Sequence, residues 1–203
     1  MPKIDLRKEL RHLYQPSARQ FEVVDVPAMN FLMLDGHGDP NRNPAYQEVV
    51  NALYTLAYSI KFALKPQGVE YTVPPLEGLW WMENMDEFSL ATKDRWDWTM
   101  MIMQPGSVTS DLVEQVRIQA MRKKGSPMLA GIRFGAYHEG LSVQIMYIGA
   151  YADEGPTIAR MHAFIKETGY EPGGKHHEIY LGDPRKTAPE KLKTVIRQPI
   201  KKR

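Results

Sequence analysis

Two stretches of this chain repeat one another in order, and that repetition constrains the fold more than any other feature. FEVVDVPAMNFLMLDG is echoed by IRFGAYHEGLSVQIMYIG; each reads as two strands ending in Gly, and each precedes a helix that opens around a Pro (Pro44, Pro156). GLWW is then echoed by EIYL, and WTMMIMQP by KTVIRQP. A single matching pair would be chance, whereas an ordered series calls for a duplicated strand-strand-helix-strand-strand unit.

Local signals give each unit its elements. Runs rich in β-branched and aromatic residues, closed by Pro27 and by the turn-forming GHGDPNRN, read as strands. Asn43 caps a helix with Pro44 at its first position. Tyr46, Val49, Val50, Leu53, Leu56, Ala57, Ile60 and Leu64 then recur at helical spacing until Pro66 and Gly68 stop it. LEGLWWME and WDWTMMIM follow as strands. A linking helix over about 110–124 turns Leu112, Val113, Val116 and Ala120 inward and ends at Gly125. In the second unit a turn at Gly140 joins two strands, a helix opens at Gly155-Pro156 and ends at Gly169, and HHEIYLGDP and TVIRQPI close the series. The expected fold is α+β: one domain over 1–203, made of repeats over about 20–105 and 130–200. Two antiparallel sheets, each with helices on one face, would meet around a pseudo-twofold axis, and their other faces would form a central ligand pocket.

Composition narrows the function. The 203 residues, 43% of them apolar, can bury a real core. The absence of Cys excludes disulfides, thiolate metal sites and a cysteine nucleophile. The best apolar run, Val49 to Leu64, is broken by Asn51, Ser59 and Lys61, so no membrane span is expected. MPKIDLRKEL lacks the apolar stretch of a signal peptide, which places the protein in the cytoplasm as an expectation. The net charge of +2 hides an acidic body: residues 1–20 sum to +3 and 185–203 to +7, leaving −8 for 21–184. Basic residues at the two ends do not make the folded basic face that nucleic acid requires, and an acidic body suits a cationic or neutral partner. No metal or other cofactor is expected. His176 and His177 project oppositely from a strand, no HExxH occurs, Gly36-His37-Gly38 lacks the GxGxxG pattern, and neither a Walker motif nor a GxSxG elbow is present.

Glu178 is the leading site candidate. Strand alternation sets Glu178 and Tyr180 on one face and Ile179 and Leu181 on the other, which reads as the helix-packed side. In the aligned strand Trp80 matches Tyr180 and Gly78 matches Glu178, so one carboxylate stands unmatched between aromatics. Such a carboxylate is desolvated and pulls strongly on a cation; the ordinary alternative is an edge-strand Glu in water. Trp80, Trp98, Tyr137 and Tyr147 are the aromatic candidates for the walls, and each can equally be core. Trp81 points away from Trp80.

LDGHGDPN, PPLEGLWW, WDWTMMIMQP and above all HHEIYLGDPRKTAPEKLKTVIRQPI resemble the GyrI-like small-molecule-binding family. The resemblance covers nearly the whole chain and implies a duplicated module of this kind. It also implies a pocket for lipophilic, planar or cationic small molecules, with the motif's functional Glu carried to Glu178. Some stand-alone members hydrolyse electrophilic cyclopropane-bearing natural products. The enzymatic expectation has Glu178 as general base on water and Tyr147 donating to a ligand carbonyl, with Trp80, Trp98, Tyr180 and Tyr137 as ligand contacts. A drug-sequestering protein without turnover is the alternative, as is a gyrase-binding protein using the acidic body. Only about 20 residues precede the first strand, too few for a helix-turn-helix reader.

Overall fold

The two halves of the chain meet through their central strands. A computed structural model describes residues 3–203, apart from the side chains of residues 86, 90 and 124. In chain order the elements are α1 (Leu6–Glu9), α2 (Arg11–Tyr14), β1 (Glu22–Val26), β2 (Met29–His37), α3 (Pro44–Leu64), β3 (Leu76–Trp81), β4 (Asp97–Gln104), α4 (Ser110–Lys124), α5 (Met128–Gly131), β5 (Arg133–Tyr137), β6 (Gly140–Ile148), α6 (Gly155–Glu167), β7 (Tyr170–Pro172), β8 (His176–Tyr180) and β9 (Lys193–Lys202). The strands form one antiparallel sheet in the order β1-β6-β9-β8-β3-β4-β2-β5, with β7 added beside β9. Exchanging β1–β4 for β5, β6, β8 and β9 reverses that order and leaves it otherwise unchanged.

The α+β class stands, with two corrections of detail. The two expected sheets are one, because β3 pairs with β8 and closes the seam. The expected hairpins are open: β1 pairs with β6, and β2 with β5 and β4. Pro27, with no N–H to donate and a fixed φ, sits in the two-residue link after β1 and does not suit a tight hairpin. Helix termini fall where the sequence puts them. The Asn43 side chain accepts from the Ala45 N–H at 3.0 Å, and Gly125 ends α4 at φ 64°, a left-handed cap.

Three apolar clusters divide the sheet. On one face α3 packs on Leu32, Leu34, Met100 and Ile102, while α6, through Met161 and Ile165, packs on Val143, Ile145 and Ile196. The opposite face buries Phe31, Leu79, Met101, Ile179 and Val195 against Leu13 and Tyr14 of the N-terminal segment. α3 and α6 thus lie on the same face, each over its own half, with the central β3–β8 pair between them.

Beneath that pair the opposite face holds a buried ionic network. His177 Nδ1 lies 2.9 Å from Glu139 and its Nε2 3.1 Å from Glu77, whose other oxygen accepts from Tyr14 at 2.5 Å. Arg197 donates to Glu139 at 3.0 Å, to Gln144 at 3.1 Å and to the Leu13 carbonyl at 2.7 Å. Burial opposes both charged forms, yet the neighbours prevail: His177 and Arg197 hold Glu139 down at about 2, and Glu139 and Glu77 raise His177 to about 9. With two acids, one arginine and a protonated imidazole the network is neutral, and it ties residues 12–14 to the sheet.

His177 therefore contributes full stability below its ordinary value of 6.5 and loses it as pH rises through 9. Glu139 contributes fully above 4.5 and loses it as pH falls toward 2. The urea midpoint should decline from pH 6.5 to 9, and more steeply in the parent than in His177→Gln. Arg197→Met, which leaves the buried network one positive charge short, should cost about 3–5 kcal/mol. An equal decline in the parent and in His177→Gln would mean that the imidazole is neutral in the fold.

Candidate functional site

The antiparallel register across the seam sets Gly78 opposite Glu178, Trp80 opposite His176 and Leu76 opposite Tyr180. Alternation sends His176, Glu178 and Tyr180 to the face bearing α3 and α6, and His177 and Ile179 to the other. Between the helices, over this floor, opens a cavity of about 1330 Å³. Tyr46 and Tyr54 wall it from α3, Ile158 and His162 from α6, and Phe88, Trp96 and Tyr151 from the connecting loops. The pocket therefore lies on the helix-bearing face, not on the helix-free face that the alternation of Ile179 and Leu181 predicted. Ile179 instead meets the short N-terminal helices through Leu13 and Tyr14.

Gly78 has a specific use. A Cβ there would stand 2.8 Å from Trp80 Nε1. Without one, the indole lies across the strand and donates to the Tyr180 hydroxyl at 3.1 Å. That hydroxyl donates to Glu178 Oε2 at 2.7 Å, and His176 Nε2 lies 3.3 Å from Oε1. Both carboxylate oxygens are thus oriented, and the side chain retains 15% exposure toward the cavity. Burial pushes this carboxyl up, but the hydrogen bond and charge of His176, with the bond from Tyr180 and the neighbouring Glu154, outweigh it and hold Glu178 below the ordinary glutamate value.

Glu154 is the partner that the sequence did not reveal. It immediately precedes α6, is 3% exposed and lines the same cavity. Burial first, then the charge of Glu178, raises its carboxyl to about 9. The two carboxyls lie close enough to interact strongly through their charges, the Thr194 hydroxyl stands nearby outside strict bonding geometry, and among the described residues no donor reaches Glu154 Oε1. At neutral pH the pair therefore carries one proton and one negative charge. Trp96 Nε1 and His162 Nε2, also buried in the walls, have no partner among the described residues. Buried polar groups are rarely left so, and several around one hollow mark where a ligand's polar atoms belong.

Trp80 and Tyr180 lie with Glu178 at the cavity. Trp98 does not: one strand further out on β4, it is wholly buried on Gly36, donates to the Gly38 carbonyl at 3.1 Å and meets Tyr46 edge-on. Tyr137 packs against Phe31 on the opposite face. Tyr147 folds over Gly149 and donates to the Ala150 carbonyl at 3.1 Å, outside the cavity wall, so the carbonyl-donor role foreseen for it has no geometry. Tyr151 lines the cavity instead, edge-on to Tyr180 at 5.4 Å, its hydroxyl pushed up to about 12 by burial and by Glu154 and Glu178. Among the described residues no group of three or more His, Asp or Glu is arranged to hold a metal ion.

Known proteins can now be set beside this geometry. The profile of the GyrI-like small molecule binding domain matches residues 19–201. The chain belongs to the GyrI-like family. This GyrI-like domain is 41% identical to an uncharacterized conserved protein from Listeria innocua, with a TM-score of 0.91 over 98% of this chain and 100% of that one. Two Listeria innocua proteins described as hydrolases are 39% and 38% identical, with TM-scores of 0.87 and 0.85 and the same coverage. Among curated proteins none matches. Among the described residues no helix is long and apolar enough to cross a membrane.

Tyr180→Phe leaves both Glu178 Oε2 and the Trp80 N–H without their partner. Unfolding free energy should fall by about 1–3 kcal/mol, and the Glu178 carboxyl, followed by carbon NMR, should titrate at higher pH than in the parent. An unchanged titration would remove Tyr180 from the group that holds the carboxylate. Gly78→Ala should push the Trp80 indole off Tyr180 and move the carboxyl the same way.

Proposed function

We propose that the protein admits lipophilic, planar molecules, neutral or cationic, between α3 and α6 and hydrolyses strained electrophilic rings of the cyclopropane-bearing kind, protecting the cell from them. The observation that carries the reading is an ionised, two-sidedly oriented Glu178 on the floor of an aromatic-walled cavity. The hydrolase relatives support the reaction class, and the family description supports the ligand class.

In this reading a water held against Glu178 gives it a proton while the water oxygen bonds to a ring carbon. The strained carbon–carbon bond breaks, and its electron pair passes into a conjugated carbonyl of the ligand. The Trp96 N–H, buried and unpartnered, is the donor at hand for the oxygen that gains charge. Proton transfer from Glu178 to the ring-opened product restores the carboxylate. Stacking between Trp80, Tyr46 and Tyr151 excludes water from the rest of the ligand.

One observation favours a second reading, binding without turnover. The hydrogen bonds that lower Glu178 also weaken it as a base and suit it to be a counter-ion. Ring opening of a cyclopropane-dienone natural product, followed by chromatography, separates the two. Glu178→Gln should lower kcat by about 10²–10⁴-fold with little change in neutral-ligand affinity. Equal rates would end the base assignment, and saturable quenching of Trp fluorescence without product would establish sequestration.

A further inference from the structure

The two carboxyls at the end of an aromatic cavity imply a form of ligand binding that neither the family nor the hydrolase relatives convey. We infer that Glu154 and Glu178 act as a one-proton dyad, and that an organic cation enters the cavity in exchange for the proton on Glu154. The inference rests on the reading of the cavity as a ligand site and adds a role for its second acid.

The geometry supplies the parts. Glu154 is almost wholly buried, faces Glu178 and has an oxygen that meets no donor. Two bare negative charges in contact within a desolvated pocket repel, so one of them keeps its proton while the cavity lacks a cation. Glu178 has His176 and Tyr180 to hold its charge, whereas Glu154 has no ion-pair partner among the described residues. The proton therefore resides on Glu154, consistent with its rise to about 9.

The groups around Glu154 offer no internal substitute for a cation. From β8 it is faced by Glu178 and Tyr180, with His176 beyond Glu178. From β9 comes the uncharged Thr194 hydroxyl, from β6 and the following loop Tyr147 and Tyr151, and from α3 Tyr46, which feels the dyad through Glu178. His162 on α6 is itself held toward the neutral form, by burial and by His176. Lys93 influences Glu154 less than burial, Glu178 or Thr194 does and stands over the Trp96 ring, 5.6 Å from its centroid. A ligand cation lying on the aromatic faces within reach of both carboxyls supplies the missing positive charge and stabilises the second carboxylate. The balance is simple: one cation enters, the O–H bond of Glu154 breaks, and one proton leaves to buffer, so the pocket's net charge is unchanged by loading.

Isothermal calorimetry tests this with 10-methylacridinium, a permanent planar monocation, beside neutral acridine at pH 8, in buffers of differing ionisation enthalpy. The cation should release about one proton per molecule bound, and acridine none. Affinity for the cation should rise about tenfold per pH unit between pH 6 and 8. Glu154→Gln, with unchanged circular dichroism, should still bind the cation but release no proton and lose the pH slope. Cation binding without proton release overturns the exchange even if the variant does not fold, as does proton release that persists in Glu154→Gln. Acridine bound with no affinity for the cation overturns the exchange while the ligand cavity stands. If neither molecule binds, the cavity reading itself falls.

Discussion

The pairing of β3 with β8 is the contact on which the rest of this molecule depends. It turns two half-sheets into one surface and fixes the register that sets a glycine opposite Glu178. It also holds α3 and α6 apart, since each helix is committed to the apolar residues of its own half. The hollow is thus a consequence of how the halves join, and its floor is the seam itself. A side chain at position 78 would fill the space through which the Trp80 indole reaches Tyr180, and the carboxylate would lose its orientation along with the indole.

Strand β8 presents two kinds of polar chemistry on its two faces. Toward the N-terminal helices, His177 enters a network in which Glu77, Glu139, Arg197 and Tyr14 satisfy one another, with the charges balanced. Toward the cavity, His176 and Glu178 belong to a group left incomplete, with Glu154, His162 and Trp96 each keeping an atom without a partner. The two differ in what a foreign molecule could offer. A closed network gains nothing from a ligand and reads as structure, whereas unmet donors and acceptors beside a hollow gain hydrogen bonds on binding. Adjacent histidines in the sequence therefore serve unrelated ends, separated only by the pleat of the strand.

Much of this was legible in the sequence, for identifiable reasons. Caps and breakers are local, so Asn43, Pro44, Gly125 and Gly155-Pro156 locate their helix ends without knowledge of the fold. Period-two alternation is equally local and places Glu178 and Tyr180 on one face. Which face bears the helices is a property of the whole sheet, and alternation is silent on it, so the pocket was expected on the wrong side. Trp98, Tyr137 and Tyr147 went astray for the same reason: an aromatic on a strand looks alike whether the neighbouring layer is a helix, a loop or a void. Glu154 carries no local mark, since an acid just before a helix is an ordinary choice that favours the helix dipole. Only proximity to Glu178, from a different element, makes it unusual.

Cavity size and cavity polarity pull in different directions here. A volume of about 1330 Å³ exceeds the roughly 300–1,000 Å³ of most small-molecule sites. Aromatic walls without polar fittings grip many flat shapes with little discrimination, because stacking depends on area more than on outline. The polar groups, by contrast, gather at the floor, around Glu178 and Glu154 and the unpartnered atoms of Trp96 and His162. Selectivity in such a site comes from what the ligand brings to that end. On the proposed reading, a molecule with no electrophilic carbon there remains a bound guest, and one with a strained ring in line with water at Glu178 is a substrate. A tolerant wall and an exacting floor would then let one scaffold sequester some compounds and hydrolyse others, with the same side chains engaged in both.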